Sequence, residues 1–376
     1  MERIVINPRQ GWQDLVENLG FYFHTIDNEI YWDESAYYRL SLTQVDQLEQ
    51  ATEVLHNLCE KAVRFIIENK RYEGFGFSPL SIALIEQSYH KQSRSLYGRF
   101  DLAYDGTNPP KMLEYNADTP TALFEASVIQ WEWLQSLKFK ADQFNSIHEK
   151  LIEAWQELIP SGALVHLSGF LDNGEDYGTL TYLADTALQV TKQVKVLELQ
   201  NIALRRKWFK QQFCDEEGFK ISYLFKLYPW EWMVKDEFAL YLLESDTTIF
   251  EPAWRMILQN KNILIVLWEL FPDCPYLLPA YSSPEKIKST FVSKIKEGRE
   301  GDGVFFCKSI ETMELPKSVV VSDFIYQEWF NVPNFEGNYP TIGSWVINGQ
   351  AAGIGIREDK SPIAKNSSRF VPHCFS

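Results

Sequence analysis

The segment YGRFDLAYDGTNPPKMLEYNADTPT, residues Tyr97 to Thr121, constrains the fold more than any other stretch of the 376-residue chain. Two runs of β-type residues flank Asp105-Gly106 and Asn108-Pro109-Pro110, so the segment reads as a hairpin with a turn or loop between its strands. Side chains two apart on a strand share a face. Arg99 and Asp101 therefore point the same way, as do Glu114 and Asn116 on the partner strand. If the two faces coincide, a guanidinium, two carboxylates and an amide oxygen converge on one patch. Hard oxygen donors of that kind suit Mg²⁺ shared with phosphate oxygens. An arginine beside them suits an anionic substrate group or a transferring phosphoryl. A solvated hairpin with a cross-strand Arg–Asp pair satisfies the same alternation. Spacing alone leaves both readings open.

A glycine-rich stretch, Lys294 to Phe305, offers a second cluster. Gly298, Gly301 and Gly303 would let backbone N–H groups approach phosphates, with Lys294 and Arg299 supplying charge. It is not a Walker A loop, because no Gly-Lys-Ser/Thr follows, and an ordinary mobile hairpin loop has the same composition. Downstream, Val319 to Phe330 reads as a buried strand whose end, Gln327-Glu328-Trp329, could offer hydrogen bonds to an adenine edge. Lys261 precedes an apolar helical run, and Arg357 follows a hairpin strand. Each could meet a phosphate, and each equally suits an ordinary surface.

The remaining pattern is mixed α and β. A helix is expected from Thr43, with Thr43 and Asp46 as a capping box. A second is expected from Pro120 through Leu137, capped by Asp118 or Thr119. Leu164 to Phe170 (strand), Gly178 to Thr191 (helix) and Val194 to Leu199 (strand) form a βαβ order that predicts a parallel layer. Beyond Phe291, strands joined by glycine turns follow, with Asn348-Gly349 as a hairpin turn. The formal charge of −15 disfavours nucleic-acid binding through phosphate neutralisation. Five dispersed cysteines without a CxxC pair fit a reducing compartment, and no signal peptide or membrane span is read. The expectation is a cytoplasmic protein. The six histidines have no ligand spacing and receive no role.

Taken in order along the chain, several of these segments resemble the glutathionylspermidine synthase family in its ATP-grasp synthetase portion. The resemblance is carried by Arg99-Phe-Asp101, Leu113-Glu114-Tyr-Asn116-Ala-Asp-Thr119-Pro-Thr121 and Glu125-Ala126. It continues through Lys226-Leu-Tyr-Pro-Trp-Glu231-Trp, Phe250-Glu-Pro-Ala-Trp254, Asn260-Lys261, Leu267-Trp-Glu-Leu-Phe271-Pro, the 294–303 loop and Ile325-Tyr-Gln327. The chain is most similar to stand-alone bacterial members described as acid–amine ligases.

The resemblance implies an ATP-grasp ligase fold with a preceding pre-ATP-grasp-like region. It also implies an ATP-dependent acid–amine ligase that works through an acyl phosphate, with ATP and Mg²⁺ as cofactors. By the same resemblance Asp101, Glu114 and Asn116 hold Mg²⁺, and Arg99 contacts the reacting phosphoryl and acyl groups. Lys261, Lys294, Arg299 and the loop glycines Gly298, Gly301 and Gly303 bind ATP phosphates. Gln327 and Glu328 fall at the adenine, and Arg357 lies near the active site. Thr119 and Thr121 stand where the family has serines contacting a glutathione-like substrate. Glu231 or Glu237 is the candidate to meet a cationic amine.

The expected partners are a small carboxylate and an amine, a glutathione-like peptide and a polyamine, with no nucleic acid and no membrane. A homodimer is the assembly considered. One unit over 1–376 is expected, with subregions 1–140, 141–250 and 251–376. Two departures stand out: there is no room before Arg99 for the amidase domain of bifunctional members, and residues 169–237 match less clearly. Cys59 reads as core, so no amidase nucleophile is expected. The rival expectation is a catalytically inactive ATP-grasp protein that senses a nucleotide or a polyamine.

Overall fold

The computed structural model describes the chain apart from residues 208–209, 300, 302, 312, 314–322 and 366–367. Its centre is a five-stranded antiparallel sheet, ordered Arg369–Val371, Gln350–Asp359, Tyr339–Ile347, Tyr97–Ala103, Lys111–Asn116. The hairpin read from sequence thus forms one side of a sheet completed by strands some 240 residues downstream. Every residue of Tyr97–Ala103 is buried, because this strand is paired on both edges and covered on both faces. At the Asn348-Gly349 turn both residues have positive φ, 46° and 82°, as a two-residue hairpin turn of this twist requires.

One face of the sheet is covered by the helix Leu42–Glu68, which packs on Tyr339–Ile347 and Gln350–Asp359. Val45, Leu48, Leu55, Cys59, Ala62 and Ile66 form its buried stripe, and Cys59 is core as expected. The cap differs from expectation. Ser41 and Gln44 form the capping box, because Leu42 is already helical.

The second helix, unlike the first, starts later than expected. Ala122 has a left-handed φ of 65°, so Pro120–Thr121 stay outside the helix. A π-turn, Glu125–Ile129, then leads into the α-helix Gln130–Leu137. Asp118 does not cap this helix; its carboxylate is used elsewhere.

The expected parallel layer is present, ordered Thr248–Phe250, Tyr223–Lys226, Leu164–Gly169, Gln193–Glu198. Its helix, Gly174–Leu188, begins four residues before the apolar run that marks it in sequence, because the Asn173 side chain accepts from the N–H groups of Glu175 and Asp176. A third sheet is antiparallel, ordered Ala280–Tyr281, Phe324–Glu328, Phe291–Ile295, Val304–Cys307. The start of the strand expected over 319–330 lies outside the described residues, and Phe324–Glu328 is its described part. Among the described residues no helix is long and apolar enough to cross a membrane.

Candidate active site

Register decides what spacing left open. Arg99 pairs with Asn116 and Asp101 with Glu114 across the hairpin, so the two polar faces coincide. The hairpin is not a solvated one: Arg99 and Asp101 are 5% and 4% exposed. The ion pair runs along one strand rather than across two. Arg99 Nε donates to Asp101 Oδ1 at 2.7 Å and Nη2 to Oδ2 at 3.2 Å, while Nη1 donates to the Thr121 carbonyl at 2.6 Å. Arg357 Nη2 reaches Asp101 Oδ2 at 3.3 Å from Gln350–Asp359, two strands away across Tyr339–Ile347.

Glu114 is met by Lys261 Nζ at 3.1 Å. Burial alone would raise the Glu114 pKa, but Lys261 and Lys294 more than offset it and hold the carboxyl well below its usual range. The reverse holds for Lys294, which burial pushes down to about 8 despite Glu114 beside it. Its Nζ donates to the Leu113 carbonyl at 2.8 Å.

These groups border a cavity of about 360 Å³ between the central sheet, the parallel layer and the third sheet. The cavity lining brings together Arg99, Asp101, Glu114, Asn116, Thr119, Thr121, Lys294, Arg299, Gly301, Gln327, Glu328 and Arg357. Lys261 stands behind Glu114 and donates to the Gly298 carbonyl, so it and Gly298 touch the site through a neighbour. Gly303 packs on Ile295 at the base of the loop. Glu231 is engaged by the loop, Arg299 Nε donating to its Oε1 at 2.8 Å. Arg299 Nη1 also reaches the Thr119 hydroxyl at 2.9 Å. The glycine-rich loop is therefore tied across the cavity to Thr119 and Glu231. Glu237 lines a different cavity.

Two lining residues leave a buried polar atom without a hydrogen-bond partner. Gln327 Nε2 donates to the Met112 carbonyl at 3.2 Å while its Oε1 has no partner, and Asn116 Nδ2 has none. An acceptor left unpaired beside a cavity suits a donor on a ligand, such as an exocyclic amine. Asp101, Glu114 and Asn116 supply hard oxygen donors from one face. The ion pairs of the two carboxylates leave lone pairs for a divalent cation. The donor set therefore fits Mg²⁺.

Sequence reasoning missed several lining residues. Phe170, Asn173 and Asp176 enter from the turn after Leu164–Gly169, a place where open α/β sheets bind ligands. The strand-to-helix order there was a usable signal. It also missed the role of Asp118, which accepts from the Lys226 ammonium and, at 2.8 Å, from the Trp230 N–H. That buried pair fixes the turn carrying Thr119 to the short helix carrying Glu231.

Gly301 shows how closely the loop is seated. Its φ is +74°, and a Cβ there would lie 2.1 Å from the Ala364 carbonyl oxygen. Gly301→Ala should lift the loop off Ala364 and lower the thermal midpoint by about 1–3 °C, the equivalent of roughly 1–1.4 kcal/mol of left-handed strain. A melting curve checks it; an unchanged midpoint would mean that seating the loop adds nothing to stability.

The family model for the glutathionylspermidine synthase preATP-grasp region matches residues 3–376. The chain belongs to the glutathionylspermidine synthase family. A Haemophilus influenzae protein named "Putative acid--amine ligase" is 39% identical, with 100% of both chains covered. The bifunctional glutathionylspermidine synthetase/amidase of Escherichia coli K12 is 25% identical over 90% of this chain, which spans 59% of that longer protein. In structure, the apo form of a glutathione synthetase-like effector from Globodera pallida superposes with a TM-score of 0.64 at 12% identity. It covers 97% of this chain and 96% of its own. The expected ATP-grasp-type α/β fold is thereby met, and family membership makes the chain an ATP-dependent ligase by class.

Proposed function

We propose that the protein joins a small carboxylic acid to an amine, using ATP and passing through an acyl phosphate. The observation that carries this reading is that buried Arg99 and Asp101, with Glu114 and Asn116 paired opposite them, share one cavity with Lys294 and the glycine-rich loop. The γ-phosphoryl group would move to the acid's carboxylate, releasing ADP. A deprotonated amine would then attack the acyl carbon, and phosphate would leave as the amide forms. Such transfer depends on positioning and charge stabilisation rather than on a protein nucleophile.

Arg99, held in place by both Asp101 oxygens and the Thr121 carbonyl, would meet charge developing on the transferring group. Asp101, Glu114 and Asn116 would hold Mg²⁺, which when bound neutralises phosphate charge. Lys294 and Arg299 would face the phosphates from the loop side, with Lys261 acting through Glu114 and the Gly298 carbonyl. Gln327 Oε1 would accept from the adenine amine, with Glu328 beside it. The loop, latched through Arg299, would keep water from the acyl phosphate. Thr119, Thr121 and Arg357 would face the acid. A glutathione-like peptide and a polyamine are the first substrates to try, because the E. coli relative is named for them. Five free thiols among the described residues accord with a cytoplasmic setting.

ADP release, measured across a panel of acids crossed with amines, tests the reading. Release that requires one acid and one amine together supports it. Tight MgATP binding with no turnover on any pair would favour a sensor, and absence of nucleotide binding would reject both.

Lys294 adds a pH dependence with a definite sign. Its folded pKa is lowered to about 8, so the ammonium that would attract phosphate is lost as pH rises through that value. The Kd for MgATP should climb between pH 7 and 9.5, approaching tenfold per unit above pH 8. Lys294→Arg keeps its charge and should flatten the profile. A flat wild-type profile would remove Lys294 from the phosphate contacts.

A further inference from the structure

A second cavity, of about 520 Å³, lies at the carboxyl ends of the parallel strands. Leu224 and Ile249 reach it from two strands, Glu198 ends a third, and Phe170 follows the fourth. In open parallel layers this end is where ligands collect. The wall is apolar: Phe213, Leu224, Ala239 and Leu242 are all less than a tenth exposed. The rim is acidic, with Asp172, Glu198, Asp236 and Glu237. No lysine or arginine belongs to the lining, and none pairs with these four carboxylates among the described residues. Glu198 accepts from the Leu171 N–H and Asp236 from the Tyr228 hydroxyl, which fixes both carboxylates without neutralising them.

An apolar interior under a rim of uncompensated negative charge matches one ligand chemistry. We propose that this second cavity binds an organic monocation with an apolar body, of the arylalkylamine kind, with its ammonium at the acidic rim. The volume lies within the range of small-molecule pockets. An anion would meet repulsion at the mouth. A chain of several ammonium groups would have to place charge against Phe213 and Leu242, at a desolvation cost. Aromatic faces at the rim add to the attraction for a cation. Phe170 and Tyr228 pack edge to face with ring centroids 5.8 Å apart, and Phe170 lines both cavities. The site is thus next to the nucleotide cavity but separated from it by an aromatic wall. The inference stands apart from the ligase reading, since binding is measured without turnover.

The test is a calorimetric titration of the full chain with 2-phenylethylamine, 3-phenylpropanoate and spermidine. The amine should bind at least tenfold more tightly than either of the others. Asp236→Asn with Glu237→Gln, both on the exposed rim, should weaken it at least fivefold. Ala239→Phe fills the interior and should abolish amine binding while leaving MgATP binding unchanged. If Ala239→Phe fails to fold, the rim variant still decides. Equal binding of amine and acid, spermidine binding as tightly as the amine, or a rim variant that binds like wild type would each overturn the proposal.

Discussion

Glu114→Gln should lower ADP release about 10³-fold, the scale of several kcal/mol of lost charge stabilisation. The carboxylate lies opposite Asp101 and beside Lys261 and Lys294. The amide keeps its shape but neither its charge nor its full set of acceptor sites. Two cations then remain without their shared counter-ion, and the face that would hold Mg²⁺ loses one of its two carboxylates. The Mg²⁺ concentration for half-maximal rate should rise sharply, whereas a substitution that merely loosened the fold would leave it unchanged. Asp101→Asn should act differently. It frees Arg99 from its carboxylate fork, so the Km for the acid should shift as well as the rate. Full activity in Glu114→Gln would sink the metal assignment.

The largest effect on stability is expected from Lys226→Met. Lys226 and Asp118 are 1% and 0% exposed, and their ion pair is closed off from solvent. Burial lowers the Lys226 pKa even with Asp118 opposing it. Removing one member leaves a buried charge alone, a loss of about 3–5 kcal/mol. Urea denaturation followed by tryptophan fluorescence measures it. Combining Lys226→Met with Asp118→Asn should restore part of the loss, because the remaining amide is neutral and can still accept from Trp230 N–H. A double variant no more stable than Lys226→Met would show that the damage comes from packing instead of stranded charge.

The hairpin face was legible in sequence because strand side chains alternate with a period of two, and four polar residues held that phase across a turn. The enclosure of that hairpin was not legible, since its second edge is paired by Tyr339–Ile347, which belongs to a distant stretch. Local competition explains the smaller misses. Ser41 outcompeted Thr43 as a cap because the helix starts one residue earlier. Asp118, a good cap by composition, was claimed by Lys226. Glu231 is met by a loop arginine from the other side of the cavity, a pairing that no local signal announces. No single motif marks the second cavity, for its walls come from four strands and its acids are spread from residue 172 to 237.

Order of synthesis gives the central sheet one more consequence. Tyr97–Ala103 takes its second partner only when residues 342–347 arrive. At roughly 5–20 residues per second, a nascent chain would carry that strand with one open hydrogen-bonding edge for about 12–48 seconds. An apolar, unpaired edge of that kind is a template for pairing with other chains. Yield in the cell should therefore depend on how well the emerging chain is shielded, and ribosome stalling between codons 120 and 340 should send more of it into aggregates than stalling elsewhere.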